Sequence, residues 1–334
     1  MTELEANIAK FKDLVDGAKT ILVLQPDSPD GDSFGSALAL EEIFGELGKN
    51  VVLFSYKEPE PYLRIHEGWD RVAQDMPKQF DLTVLVDTGS PKLIKSTLEH
   101  HATALMAKPM VVIDHHASRQ DFGFTTIDIA DTSVATAELI MQLCLDFDWT
   151  VNTSAAVKLA TALLSDSLGL TTSGTTYRSV AMYAECIKRG ASPSELSRLH
   201  REVSALEPTQ VHLKGQLLSS IEYVCDGELA IAEITPDVVA DNKDKFEPYN
   251  MIISEMQWTK GVKLAAVFKN YGTKVSVPLR STNESAAPIA AKFDGGGHPN
   301  ASAYRTTTTD IAAEKAKLIA AYEAYRKETT VEAD

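Results

Sequence analysis

Apolar positions along the chain fall into blocks of two kinds. Residues 2–17 place Leu4, Ile8, Phe11, Leu14 and Val15 at helical spacing. Residues 20–24 are then a short apolar run with β-branched members, and residues 25–32 are rich in turn formers. A second helical pattern covers residues 33–47, with Phe34, Ala37, Leu38, Ile43 and Phe44 inward. Residues 51–54, 82–86 and 110–113 are further continuously apolar runs. Short runs of this kind, several of them separated by helices, are the pattern of parallel strands covered on both faces.

From residue 132 to about residue 204 helical patterns dominate, broken at Leu164-Ser165-Asp166-Ser167. Arg189-Gly190-Ala191-Ser192-Pro193 reads as a helix stop followed by a new start. Strand patterns then return at residues 221–224, 229–234, 262–268 and 274–277, and a helix from about residue 309 to 327 closes the chain. At 334 residues the chain suits two cores better than one. The expected fold is α/β: a parallel-sheet domain with helices on both faces over 1–190, a helical linker over 191–212, and a smaller α/β domain over 213–330.

In an open parallel sheet, ligands bind beyond the carboxyl ends of the strands. Three of these strands end in acids or imidazoles: Asp27, Asp30 and Asp32 after the first, Asp87 after Val86, and Asp114-His115-His116 after Ile113. Asp30-Gly31-Asp32 alone says little, because Asp-Gly is an ordinary turn pair. Adjacent histidines after a buried strand are more telling. They rarely serve a core, and imidazole is a common metal ligand. His100-His101 follows no apolar strand and reads as surface. Cys144, Cys186 and Cys225 have no paired spacing and read as small core residues.

The net charge of -15 argues against a long duplex nucleic acid as partner, since duplexes are held by many Lys/Arg–phosphate contacts. It leaves room for a small phosphorylated substrate, whose charge bound metals and a few arginines can neutralise. No apolar run approaches the roughly 20 residues of a membrane span. The acidic start Met1-Thr2-Glu3-Leu4-Glu5 does not resemble a secretory signal, so a cytoplasmic location is expected.

Taken together the motifs resemble the DHH phosphoesterase superfamily. Asp114-His115-His116 is similar to its name motif. Pro29-Asp30-Gly31-Asp32 followed by Gly35-Ser36-Ala37 resembles the first motif, Val86-Asp87-Thr88-Gly89-Ser90 the second, and Leu164-Ser165-Asp166-Ser167 the fourth. Near the other end, Gly295-Gly296-Gly297-His298-Pro299-Asn300 is similar to the glycine-rich segment of the attached DHHA1 domain, and Val277-Pro278-Leu279-Arg280-Ser281 to its arginine strand.

The resemblance implies two Mn2+ ions, with Mg2+ as a competitor. Asp32, Asp87, His115 and Asp166 would hold one, and Asp30 and Asp87 the other. Two such ions about 3.5–4 Å apart lower the pKa of a water and clamp phosphoryl oxygens. Asp114 would orient a ligand, and His116 would donate to a phosphate or leaving oxygen. Arg280, Ser281, Gly296, Gly297 and His298 would grip substrate. Arg119 and Arg178 are weaker phosphate candidates, at least as well read as solvated surface. The family's first motif begins with a histidine ligand three residues before its Pro, and here that position is Pro26. Either Gln25 or Asp27 takes over, or Asp27 only caps a turn.

Among stand-alone members of this layout, the resemblance points to the group that degrades short oligoribonucleotides and 3′-phosphoadenosine 5′-phosphate. Cyclic dinucleotides such as c-di-AMP, or linear pApA, are the enzymatic alternative. A catalytically weakened nucleotide-binding protein is the alternative of a different class. Homodimers are plausible by resemblance alone.

Overall fold

The first apolar run becomes β1 (Thr20–Leu24), paired in parallel on one side with β2 (Asn50–Phe54) and on the other with β3 (Leu82–Val86). Beyond β3 follow β4 (Met110–Asp114) and β5 (Ile127–Ala130), giving an all-parallel sheet ordered β2-β1-β3-β4-β5. The pleat sends alternate residues to opposite faces. Ile21 and Val23 join one core, Leu22 and Leu24 the other. The first face is covered by α1 (Glu3–Gly17), α2 (Gly31–Glu46), α4 (Thr136–Asp146), α5 (Thr153–Asp166) and α6 (Tyr177–Lys188); the second by α3 (Lys95–Met106). This computed structural model describes residues 2–116, 119–203, 205–242, 246–308 and 310–331. Ser204 and Thr309, expected ends of helical stretches, lie outside them.

Helices α2 and α5 pack close because two glycines face the contact. A Cβ on Gly31 would collide with the Ser165 side chain, and one on Gly35 would sit 2.9 Å from Ala162 Cβ and 3.0 Å from the Lys158 carbonyl. Gly31 is helical rather than left-handed, so its role is room, not the turn suggested by Asp-Gly. The close packing brings the start of α2, which carries Asp30 and Asp32, to the end of α5, which carries Asp166.

The chain divides into Met1–Ala205 and Leu206–Asp334. The break falls inside the expected linker. Its first part is α7 (Pro193–Val203), whose Leu196 is buried in the first unit's core. Its second part leads into α8 (Pro208–Ser219), whose Leu217 is buried in the second unit.

The second unit holds a six-stranded sheet. Its strands are β6 (Glu222–Val224), β7 (Leu229–Ile234), β8 (Leu264–Asn270), β9 (Val275–Ser281), β10 (Gly296–His298) and β11 (Ala301–Thr306), in the order β10-β11-β9-β8-β7-β6. Only β7 and β8 run parallel. One face packs on α11 (Ala286–Ala291) and α12 (Ile311–Val331), with Leu318 and Tyr322 fully buried. The other packs on α8, α9 (Pro236–Asn242) and α10 (Ile253–Trp258) at the β7–β8 end. Strands β5, β10 and β11 go beyond the sequence expectation. No helix among the described residues is long and apolar enough to cross a membrane.

Candidate metal centre

Asp30 is the N-cap of α2. Its Oδ1 accepts from the backbone N–H of Asp32 at 3.1 Å and of Ser33 at 3.0 Å, meeting two of the helix's unpaired donors. Asp32, one step inside the helix, is fully buried. Its carboxylate reaches across to the start of α4, whose own N-cap, Ala135, has no capping side chain. Asp32 accepts from Thr136 N at 2.5 Å, Ala137 N at 3.1 Å and Ser36 Oγ at 3.2 Å.

Asp87 follows β3 with a left-handed φ of 55°. Few residues other than glycine tolerate this conformation, and Asp is among those that do. The turn presents its carboxylate to the sheet edge, where Oδ1 accepts from Thr136 Oγ1 at 3.0 Å. Asp166 is the last residue of α5, where the helix dipole disfavours a negative charge.

His115 stands among these acids. Its Nδ1 is fixed by the Ser133 carbonyl at 3.1 Å, which turns Nε2 toward Asp166 Oδ2 at 3.3 Å and Asp87 Oδ1 at 3.4 Å. Burial opposes charge on this ring, yet Asp166 and Asp87 outweigh it and push its pKa up to about 11. Asp32 holds a proton far more readily than an isolated carboxyl, through burial and then through Asp87 and Asp166. Asp30 is raised by burial and by Asp87. His116 donates from Nδ1 to Asp114 Oδ1 at 2.7 Å, and that hydrogen bond raises its pKa. Asp114 is fully buried, with Arg119 Nε 3.5 Å from its other oxygen.

These groups fit a metal. Ligand atoms of Asp32, His115 and Asp166 lie within 4.8 Å of one another, and so do those of Asp87, His115 and His116. His115 Nε2 is buried with no hydrogen-bond partner. A lone pair directed at carboxylates is satisfied only by a cation, either a proton or a metal ion. Mixed oxygen and imidazole ligation suits a divalent first-row metal.

The second unit gathers groups of the opposite kind. His298 of β10, Ala301 of β11 and Arg280 of β9 lie in one cross-strand row, so Arg280 and His298 share a face with only a methyl between them. Arg280 is half-buried, donates to the Leu279 carbonyl at 3.1 Å, and has no ion pair among the described residues. A Cβ on Gly295 would strike the Ala303 carbonyl. One on Gly297, at φ 146°, would lie 2.6 Å from the Ala301 carbonyl, so both glycines serve the approach of β10 to β11. Gly296 has open space instead. Ser281 is not brought to this face. It is buried, donates to the Pro299 carbonyl at 3.2 Å and accepts from Ala286 N at 3.1 Å, holding the turn into α11.

Residues 20–175 match the family described as "DHH family, N-terminal domain". Those residues therefore form a DHH-family N-terminal domain. The chain is 25% identical to the bifunctional oligoribonuclease and PAP phosphatase NrnA of Thermus thermophilus, over 90% of this chain and 88% of that protein. It is also 25% identical to the cyclic-di-AMP phosphodiesterase PdeA of Listeria monocytogenes, over 96% of this chain but 50% of that protein. Its fold matches an exopolyphosphatase-related protein from Bacteroides fragilis with a TM-score of 0.80 and 21% identity, covering 97% of this chain and 98% of that one. These DHH relatives support a hydrolase of phosphoester bonds.

Against that family pattern, the segment before Asp30 stands apart. Asp27 is not among the candidate ligands grouped above. Its Oδ2 accepts from Ser96 N at 2.6 Å, and its Oδ1 from Thr97 N at 3.2 Å and Thr97 Oγ1 at 2.7 Å. It therefore caps α3, whose N-cap Ile94 has no capping side chain. Gln25 is buried, with neither amide atom hydrogen-bonded among the described residues. Arg178 pairs with Asp131 at 2.9 Å and Glu138 at 3.6 Å, and Arg119 with Asp114 and Asp128 at 3.5 Å each. Sequence reasoning missed Thr136, which binds both Asp32 and Asp87. The available signal was its place in Thr132-Ser133-Val134-Ala135-Thr136-Ala137-Glu138-Leu139, which resembles a segment between the family's third and fourth motifs.

Proposed function

We propose that the chain is a divalent-metal-dependent phosphoesterase, favouring Mn2+, that hydrolyses short oligoribonucleotides and 3′-phosphoadenosine 5′-phosphate. The observation that carries this reading is His115 Nε2, buried and unpartnered between Asp87 and Asp166. Asp32, Asp87, His115 and Asp166 would hold one ion, and Asp30 and Asp87 would help hold a second. When bound, such ions lower the pKa of an attacking water and neutralise phosphoryl oxygens. Asp114 fixes His116 through Nδ1 and favours its protonated form, which leaves Nε2–H to donate to a phosphoryl or leaving oxygen. Arg280 would hold a substrate phosphate with its planar fork, and Gly296 and His298 would line the same surface.

A turnover assay with Mn2+ against short RNA, 3′-phosphoadenosine 5′-phosphate, pApA and c-di-AMP tests the reading. Release of mononucleotide or phosphate from the first two is the expected result. Preferential cleavage of c-di-AMP would favour the second reading, which the Listeria relative supports. No turnover of any of the four, with nucleotide binding intact, would leave a weakened nucleotide-binding protein. Retention of Asp30, Asp32, Asp87, His115, His116 and Asp166 argues against that outcome.

A further inference from the structure

The segment after β2 folds back over the turn that carries Asp30. Lys57 Nζ lies 3.3 Å from Ser28 Oγ. Tyr62 Oη donates to the Pro29 carbonyl at 3.5 Å. An ammonium and two hydroxyls thus surround Ser28-Pro29-Asp30, directly beside the carboxylates that would hold the metals. Lys57 and Ser28 are exposed, and Tyr62 is 45% exposed, so all three are open to a ligand.

The ionic partners of nearby cations differ. Arg119 and Arg178 are each engaged by two carboxylates. Lys57 forms no ion pair among the described residues, although Asp30 is two residues from the serine it bonds. The Tyr62 hydrogen bond to Pro29 is long at 3.5 Å, so this hydroxyl can turn to donate to an anion instead. Together the three groups offer an anion one positive charge and three types of donor hydrogen, at the rim of a site dominated by carboxylates.

We propose that Lys57, Ser28 and Tyr62 form an anion subsite for a phosphate of the substrate other than the one being hydrolysed. The proposal rests on the phosphoesterase reading and sharpens its substrate class: nucleotides bearing two phosphate groups, in preference to those bearing one. Diadenylate with a 5′-phosphate (pApA) and without it (ApA) separates the cases, using the full chain with Mn2+. Wild type is expected to prefer pApA in kcat/KM. Lys57→Ala should cut that preference about tenfold, chiefly through KM for pApA, as expected for one lost charge-assisted contact. Lys57→Arg should restore most of it, and Tyr62→Phe should cut it two- to threefold, about one weak hydrogen bond.

An unchanged pApA:ApA ratio in Lys57→Ala would overturn the subsite. So would a weakened Mn2+ affinity in that variant, because Lys57 would then act on the metal cluster instead. Calorimetric binding of adenosine 3′,5′-bisphosphate against adenosine 5′-monophosphate reads the subsite without turnover. A bisphosphate preference lost in Lys57→Ala supports it, and one equal in both proteins refutes it. A wild-type protein that binds these nucleotides but hydrolyses neither the dinucleotides, short RNA, c-di-AMP nor 3′-phosphoadenosine 5′-phosphate would sink the phosphoesterase reading, and this binding comparison would still decide the subsite.

Discussion

At the sheet edge of the first unit carboxylates gather: Asp30, Asp32, Asp87 and Asp166, with the buried Nε2 of His115 among them. On the open face of the second unit the gathered side chains are donors: Arg280 and His298, flanked by the open backbone at Gly296. Each arrangement is electrostatically incomplete on its own. Like charges and aligned lone pairs are costly to bring together, and they persist where a ligand of opposite sign offsets the cost. On the proposed reading, the carboxylate cluster would take cations and the Arg280 face would take an anion. A phosphoesterase needs both, metals at the reacting phosphorus and a grip on the rest of the substrate.

The sharpest way to break this contrast is to remove the imidazole from the acceptor cluster. His115→Ala takes away the one nitrogen shared by both candidate ligand groups. Mn2+ affinity and turnover should each fall by more than about 100-fold, a loss larger than is typical for groups that merely support a ligand. Far-ultraviolet circular dichroism should stay unchanged. Retained stoichiometric Mn2+ binding by calorimetry would show that the cluster is not the metal site.

Next comes the donor face. Arg280→Ala should raise KM roughly tenfold or more with little change in kcat, the cost of losing a charge-assisted phosphate contact. Arg280→Lys should recover only part of it, because an ammonium cannot reproduce the planar fork. Metal affinity should not move. An equal fall in kcat would mean that this arginine acts at the reacting atoms.

pH separates the two units by sign. In the metal-free cluster Asp166 and Asp87 push His115 up to about 11, and Asp30 and Asp32 also hold protons above the usual carboxylate range. Each of those protons competes with the cation. Mn2+ affinity should therefore fall as pH falls, by about tenfold per pH unit for each proton displaced between roughly pH 8 and 6. Calorimetry in buffers of different ionisation enthalpy would register the released protons. Phosphate binding by the second unit should not weaken over that range, since a guanidinium keeps its charge there. Mn2+ affinity independent of pH would contradict the protonation described for His115.

How far the sequence anticipates all this depends on the range of the interactions. β1 to β4 are legible because strands buried on both faces read as unbroken apolar runs. β5 is not: only Ile127 and Ile129 of its four residues are buried. β10 and β11 are hidden because glycine, alanine and serine carry no strand signal, although Gly295 and Gly297 are needed there for close approach. Asp30, Asp32, Asp87, His115 and Asp166 could be named from strand and helix ends together with the family resemblance. What each one touches could not. Thr136 lies 104 residues beyond Asp32, and no local pattern links them. Gly31 looked like half of a turn pair, but it makes room for Ser165.

Asp27 gives the finest test of where the acceptor cluster ends. It lies three residues before Asp30, yet its partners are Ser96 and Thr97, 69 and 70 residues further along the chain. Both of its oxygens accept at the start of α3, as a capping aspartate's would. Asp27→Asn turns one of them into a donor facing a donor. The expected loss is about 1 kcal/mol of stability, typical of a weakened cap, with a fall of about 2–4 °C in Tm. Mn2+ stoichiometry and affinity should be unchanged within twofold. The opposite result, an unmoved Tm with Mn2+ affinity down tenfold or more, would place Asp27 among the metal ligands. It would then stand in for the histidine that Pro26 cannot replace, and α3 would have to be capped by another group.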